Sequence, residues 1–246
     1  MEVTFDNAPL IEYAVRKAYA HDPKVFTQGL CFAGDTLVES RGGYGESSVR
    51  TYDSRPPSLR AECFNDEDVW GEGVCSAGGD LVWQLIYEQR RALLFNVRTM
   101  TLVREIPYDR DGWGLCDHGS LAYSTDGSEV IVIRDRETLD AVGEIVVPGA
   151  TQGLNDLTYL NGHLWINALQ SWKIYCVDIS NGKIVGLLDC KPMFADSEPD
   201  VDLMRTYGAN GITVDPEHEG ALLVTGKYWP WMYSVIPDLS SVREQQ

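Results

Sequence analysis

Five residues able to do chemistry stand at one position of a repeated motif: Gln28, Glu72, Trp113, Asn155 and Asn210. The copies read Gln28-Gly29-Leu30-Cys31, Glu72-Gly73-Val74-Cys75, Trp113-Gly114-Leu115-Cys116, Asn155-Asp156-Leu157-Thr158 and Asn210-Gly211-Ile212-Thr213. One carboxylate among carboxamides and an indole is the composition of a site that grips a small polar ligand and exchanges a proton with it. Taken singly, each residue has an ordinary explanation. A Glu at a strand start is usually solvated, and Asn or Gln there is usually a turn former. Packing asks only for the aliphatic residue two places on, so the polar and aromatic set at the first position calls for another reason.

The motif starts lie 44, 41, 42 and 55 residues apart, room for about four short strands per copy, which is the period of a propeller blade. Turn signals divide each copy accordingly, among them Asp126-Gly127, Asn161-Gly162 and Asn181-Gly182. The spacing predicts an all-β, five-bladed propeller forming a single domain over residues 1–246, with blades at about 26–60, 70–107, 112–147, 154–189 and 209–236. The fifth copy lacks a fourth strand. Residues 10–18, where Ile11, Tyr13 and Val15 alternate with polar neighbours, supply it and close the ring. Residues 1–9 carry no periodic signal. The long step before the fifth copy is a loop from Cys190 to Gly208, of a length that suits a functional or lid-like segment. First strands line the central channel of a propeller, so the five motif openers gather at one mouth.

Composition narrows the partners. Against 37 Asp and Glu stand 20 Lys and Arg, and a net charge of −17 repels nucleic-acid backbones and anionic lipid surfaces. No basic segment followed by an apolar run opens the chain, and no stretch approaches a membrane span, so a cytoplasmic location and no membrane partner are expected. Cys31, Cys75 and Cys116 share a motif position with Thr158 and Thr213, which marks them as small packing residues. The four histidines lie in turn-like contexts without metal-ligand spacing, which predicts solvated side chains and no metal site. Asn65-Asp66-Glu67-Asp68 lacks the Gly and distal Glu of a calcium loop. There is no Gly-x-Ser-x-Gly, P-loop or dinucleotide fingerprint.

Seven stretches resemble, in order, the motifs of the plant-type glutaminyl-peptide cyclotransferases, or glutaminyl cyclases. They are Phe26-Thr27-Gln28-Gly29-Leu30, Tyr44-Gly45-Glu46-Ser47-Ser48-Val49-Arg50, Trp70-Gly71-Glu72-Gly73, Gly112-Trp113-Gly114-Leu115, Leu154-Asn155-Asp156-Leu157, Asn210-Gly211-Ile212 and Thr225-Gly226-Lys227-Tyr228-Trp229-Pro230. The resemblance spans residues 10 to 236 and implies a five-bladed propeller that converts an N-terminal glutamine to pyroglutamate with release of ammonia, without a catalytic metal or other cofactor. By motif, it implies that Glu72 is the catalytic carboxylate, that Lys227, Gln28 and Asn155 hold polar parts of the substrate and stabilise its oxyanion, and that Trp70 and Trp113 wall the pocket. Asn210 completes the expected substrate-binding ring.

The chain departs from the family pattern at three places. Trp70 stands where members usually have Phe, while Tyr87 and Leu169 stand where they tend to carry Trp; Trp172, three residues beyond Leu169, is the candidate replacement in the wall. These changes bear on substrate identity more than on reaction type. The expected substrate is a peptide with an N-terminal Gln or a small glutamine-like metabolite, and the expected state is a monomer. The reading from a different class is a propeller that binds a peptide terminus without turnover.

Overall fold

Successive side chains leave a strand on opposite faces, and in β7 (Leu81–Ile86) both faces are covered: Val82 and Ile86 pack toward one neighbouring sheet, Trp83 and Leu85 toward the other. Inner strands of this kind therefore read as continuous apolar runs. The computed structural model describes residues 3–53, 58–194 and 208–240, which form five four-stranded antiparallel sheets arranged as propeller blades. The first blade is β2 (Thr27–Ala33), β3 (Thr36–Arg41), β4 (Ser48–Asp53) and β5 (Ser58–Phe64), and the second is β6 (Gly71–Gly78), β7, β8 (Arg91–Asn96) and β9 (Thr101–Pro107). β10 (Leu115–His118), β11 (Leu121–Ser124), β12 (Val130–Asp135) and β13 (Ala141–Val146) make the third; β14 (Leu154–Leu160), β15 (His163–Ala168), β16 (Lys173–Asp178) and β17 (Ile184–Asp189) the fourth. The fifth joins β18 (Ala209–Val214), β19 (Leu222–Gly226) and β20 (Trp231–Pro237) to β1 (Tyr13–Ala20), which pairs antiparallel with β20 from Tyr13 opposite Pro237 to Ala20 opposite Trp231.

Each junction between neighbouring blades holds its own apolar cluster, from Val38, Val74 and Val82 between the first and second to Tyr19, Leu30 and Met232 between the fifth and first. A ring held by junctions fixes each inner strand against two neighbours, and so fixes the mouth of the channel.

Three details differ from the sequence expectation. Alternation in the closing strand does not persist: β1 bulges between Val15 and Lys17, Val15 is 46% exposed, and Tyr19 is the buried anchor. The outer strand β5 follows the Pro56-Pro57 signal and is mostly exposed, so it carries almost no apolar period. The aperiodic start is pinned all the same. Phe5 is buried and stacks on Tyr175 at 3.5 Å, and the backbone around Leu10 pairs with Leu187, covering the outer edge of the fourth blade. Of the loop from Cys190 to Gly208, a short 3-10 turn at Lys191–Phe194 is seen; residues 195–207, on which the lid reading falls, lie outside the described residues.

Candidate active site

The same irregularity recurs on the inner strand of four blades. Pairing with the second strand slips between Thr27 and Gly29, between Gly71 and Val74, between Leu154 and Leu157, and between Ala209 and Ile212. A bulge re-aims the residue it releases, and the released residues include Gln28, Glu72, Asn155 and Asn210. In the third blade Trp113 precedes the strand proper, with its N–H on Thr125 O at 3.1 Å and its carbonyl accepting Gly73 N–H at 2.6 Å.

The mouth is a cavity of about 350 Å³. Gln28, Glu72, Asn155 and Lys227 are among its polar lining; Trp70, Tyr87, Trp113 and Leu169 are among its walls. Trp70 meets Phe26 and Tyr44 edge-on, at 5.6 and 5.3 Å between ring centroids. Two glycines seat the indoles. A Cβ on Gly42 would come within 2.7 Å of Trp70 Nε1, and one on Gly127, which also has φ +83°, within 2.7 Å of the Trp113 ring.

Glu72 is held from one side by a directed chain of amides. Asn210 Nδ2 donates to Gln28 Oε1 at 2.8 Å, which turns Gln28 Nε2 toward Glu72 Oε1, also at 2.8 Å. Burial pushes the Glu72 carboxyl well above the ordinary carboxylate range; Lys227 and the Trp70 indole pull it back, and the charge of Asp156 adds to the rise. Lys227 lies over the Phe26 ring at 4.7 Å. Burial lowers its pKa, and Glu72 and Asp156 offset part of that. Asn155 is buried, and its side-chain oxygen has no hydrogen-bond partner among the described residues. A carboxyl that burial inclines to keep its proton, a lysine amine and an unanswered oxygen converge on an apolar cavity, an arrangement suited to moving protons on a small polar substrate.

Of the ten residues expected from sequence, eight line this cavity. Asn210 does not: it is 1% exposed and spends its amide on Gln28 and on Thr27 O at 3.0 Å, so it orients a lining residue. Trp172 does not either. It stacks on Trp229 at 5.1 Å in the junction of the fourth and fifth blades, while Leu169 in the cavity wall is 38% exposed. Phe26, Tyr44 and Gln170 also line the cavity; the first two belong to family-like stretches, but only the fold shows that they face inward.

Histidine placement departs from expectation as well. His21 is buried, with Nε2 on Glu39 Oε1 at 3.0 Å and Nδ1 on Trp229 O at 2.7 Å. His218 shares Asp215 in a turn where Asp215, Glu217 and His218 come together, and Glu217 accepts the Tyr19 hydroxyl. These internal hydrogen bonds account for that cluster.

A five-bladed propeller with a protonatable carboxyl in an aromatic mouth defines a class of site, and comparison with known proteins places the chain within it. The family described as glutamine cyclotransferase matches residues 1–236, and the chain belongs to that family. A glutaminyl-peptide cyclotransferase of Arabidopsis thaliana is 31% identical over 233 residues, 91% of this chain and 71% of the relative. The crystal structure of Myxococcus xanthus glutaminyl cyclase superposes with a TM-score of 0.79 at 24% identity, covering 94% of this chain and 98% of that one. Kuenenia stuttgartiensis hydrazine synthase gives 0.50 at 16% identity over 85% of this chain and 57% of its own, a likeness of fold alone.

Proposed function

We propose that this protein is a glutaminyl-peptide cyclotransferase that closes an N-terminal glutamine to pyroglutamate and releases ammonia, with Glu72 as general acid and base. What carries the reading is Glu72 itself, a buried carboxyl raised toward neutrality and held by Gln28 in the cavity of a chain from this family. The substrate's neutral α-amine attacks its own side-chain carboxamide carbon. As the N–C bond forms, Glu72 takes a proton from the attacking nitrogen; as the C–N bond breaks, it delivers one to the departing nitrogen, and ammonia leaves. The Lys227 ammonium faces the oxygen that becomes negative in between. The unpartnered Asn155 oxygen accepts an N–H of the substrate, and the indoles hold the folded side chain against its own amine. Incubating the protein with a glutaminyl dipeptide and measuring ammonia tests this. Dipeptide binding without ammonia would mark a binding module instead.

Lys227→Ala is expected to lower the rate at saturating dipeptide by about 10²–10³-fold, the usual effect of removing one oxyanion donor. A change in KM alone would make Lys227 a ground-state binding residue.

The rim narrows the substrate further. Leu169 lines the cavity at 38% exposure and Trp172 stacks on Trp229 instead of joining it, and in this reading a leucine in place of an indole grips a following residue weakly. The favoured substrates in this reading are short glutaminyl peptides or small glutamine derivatives. Turnover is expected to fall as the peptide lengthens, and Leu169→Trp to change the ratio of long to short substrates by about 10-fold, the scale of one altered apolar contact. A wild type fastest on long peptides and unaltered by Leu169→Trp would refute it.

A further inference from the structure

The second motif position is glycine in four copies and Asp156 in the remaining one. The glycines answer crowding at the propeller axis: a Cβ on Gly73 would stand 2.4 Å from Leu115 N, one on Gly114 2.2 Å from Asn155 O, and one on Gly29 2.9 Å from Val74 N. Asp156 fills the centre that they leave. It is fully buried, and its Oδ1 reaches to 3.3 Å from the Cβ position of Gly29, in a blade across the axis.

Inner strands have no further strand on the axis side, so their inward N–H groups need another partner. Asp156 Oδ2 accepts the Ile212 N–H at 2.9 Å; burial pushes the Asp156 carboxyl well above the ordinary carboxylate range, and the amides of Ile212, Leu157, Leu30 and Leu115 pull it back toward its charged form. These four are the same motif residue in the fifth, fourth, first and third blades. Converging backbone N–H groups make an anion site, which suits a carboxylate; a carboxylic acid would bring an O–H in need of an acceptor. The charge of Asp156 reaches both Glu72 and Lys227. The trio therefore holds two carboxyls and one ammonium away from water, and one cation does not offset two buried anions. Four backbone amides at fixed positions face Asp156, against the movable Gln28 and Lys227 side chains and the Trp70 indole at Glu72, so Glu72 is taken as the one that gives up its charge.

We propose that Asp156 is a positioning residue that keeps the trio's negative charge on the axis, as counter-ion to Lys227, so that Glu72 enters the reaction as a neutral carboxylic acid. The proposal rests on the cyclisation reading. A neutral acid works at both ends of the reaction: its carbonyl oxygen takes the proton of the attacking amine while its hydroxyl gives one to the leaving nitrogen. Glu72 is neutral before and after, and no net charge crosses the buried site. A Glu72 carboxylate would instead hold the substrate amine as ammonium, with no lone pair to attack. Among the described residues, the other titratable groups facing these carboxyls are the Tyr87 phenol near Glu72 and the Cys31 and Cys116 thiols near Asp156. Burial raises all three and leaves them neutral.

The test is carbon NMR of protein labelled at the Asp and Glu carboxyls, without substrate. The Glu72 resonance, assigned by its loss in Glu72→Gln, is expected in its protonated position near neutral pH, and Asp156→Asn to lower its midpoint by about one pH unit or more. The alkaline limb of kcat/KM for a glutaminyl dipeptide should move down with it. A uniform loss of rate with an unmoved limb would mean a purely structural role and overturn the proposal. If Asp156→Asn does not fold, Lys227→Met is read instead: Glu72 should be unchanged while one aspartyl carboxyl gains a proton. An ionised Glu72 in the wild type near neutral pH, or one that gains its proton only in Lys227→Met, would overturn the proposal. Absence of ammonia release from the wild type would overturn the cyclisation reading alone, since the resonances report without turnover.

Discussion

Glu72→Gln is expected to fold, to bind a glutaminyl dipeptide, and to release ammonia about 10²–10⁴-fold more slowly than the wild type. The change is nearly isosteric, and the side-chain oxygen that accepts from Gln28 Nε2 at 2.8 Å is retained. What is lost is the exchangeable proton. Thermal stability should not fall, because Glu72 is only 6% exposed and burial opposes its charge; a carboxamide in that place carries no desolvation penalty of an ion. Three measurements separate the roles: ammonia release at saturating substrate, dipeptide affinity by calorimetry, and the unfolding midpoint. A variant that keeps more than about a third of the wild-type rate would remove Glu72 from the chemistry. One that loses affinity and rate together would make it a binding residue.

The sequence exposes this site because the propeller uses one motif five times. A repeated aliphatic residue is explained by the blade junctions, where Leu30, Val74, Leu115, Leu157 and Ile212 are all buried. That leaves the polar residue two places earlier unexplained by packing and so conspicuous. The bulges that turn Gln28, Glu72 and Asn155 into the channel have no local signature beyond this repetition. Single residues without a counterpart in other blades are harder to read. Trp172 looks available for the wall, but its direction is decided by Trp229, more than fifty residues away in sequence and 5.1 Å away in space. Asn210 occupies a ring position and yet faces Gln28, because the inner strands crowd together where the fifth blade meets the first. Strand β5 escapes notice for the opposite reason: an outer strand with exposed residues on both faces has no apolar period to find.

His21 is the largest misreading, and it carries the second large effect: Glu39→Gln is expected to cost about 3–5 kcal/mol of folding stability, the range for removing one partner of a buried ion pair. Both side chains are fully buried. The Trp229 carbonyl can only accept, so the 2.7 Å contact makes His21 Nδ1 a donor; Glu39 accepts the Thr27 and Tyr52 hydroxyls as a carboxylate held below its ordinary pKa, so Nε2 donates to it across 3.0 Å. The imidazole is thus an imidazolium. Burial works against that charge, but the charge of Glu39 and its hydrogen bond, with the Trp229 carbonyl, hold the His21 pKa above its ordinary value. Burial likewise works against the Glu39 carboxylate, but His21, Tyr52 and Thr27 hold its pKa down. The raised histidine stabilises fully below its unfolded value and loses that contribution as pH rises through the folded one. The lowered glutamate stabilises fully above its unfolded value and loses it as pH falls through the folded one. Urea unfolding of wild type and Glu39→Gln should therefore differ most between about pH 4.3 and 6.5, the two unfolded values, and the gap should narrow on either side. The loss should also reach catalysis. Thr27, which donates to Glu39 at 2.7 Å, precedes Gln28, and Trp229 follows Lys227 by two residues, so the pair ties together the two backbone segments that present those side chains. A stability difference below about 1 kcal/mol, the level of an exposed pair, or a gap that widens as pH rises past about 6.5, would show that His21 is neutral and that these segments are held by packing alone.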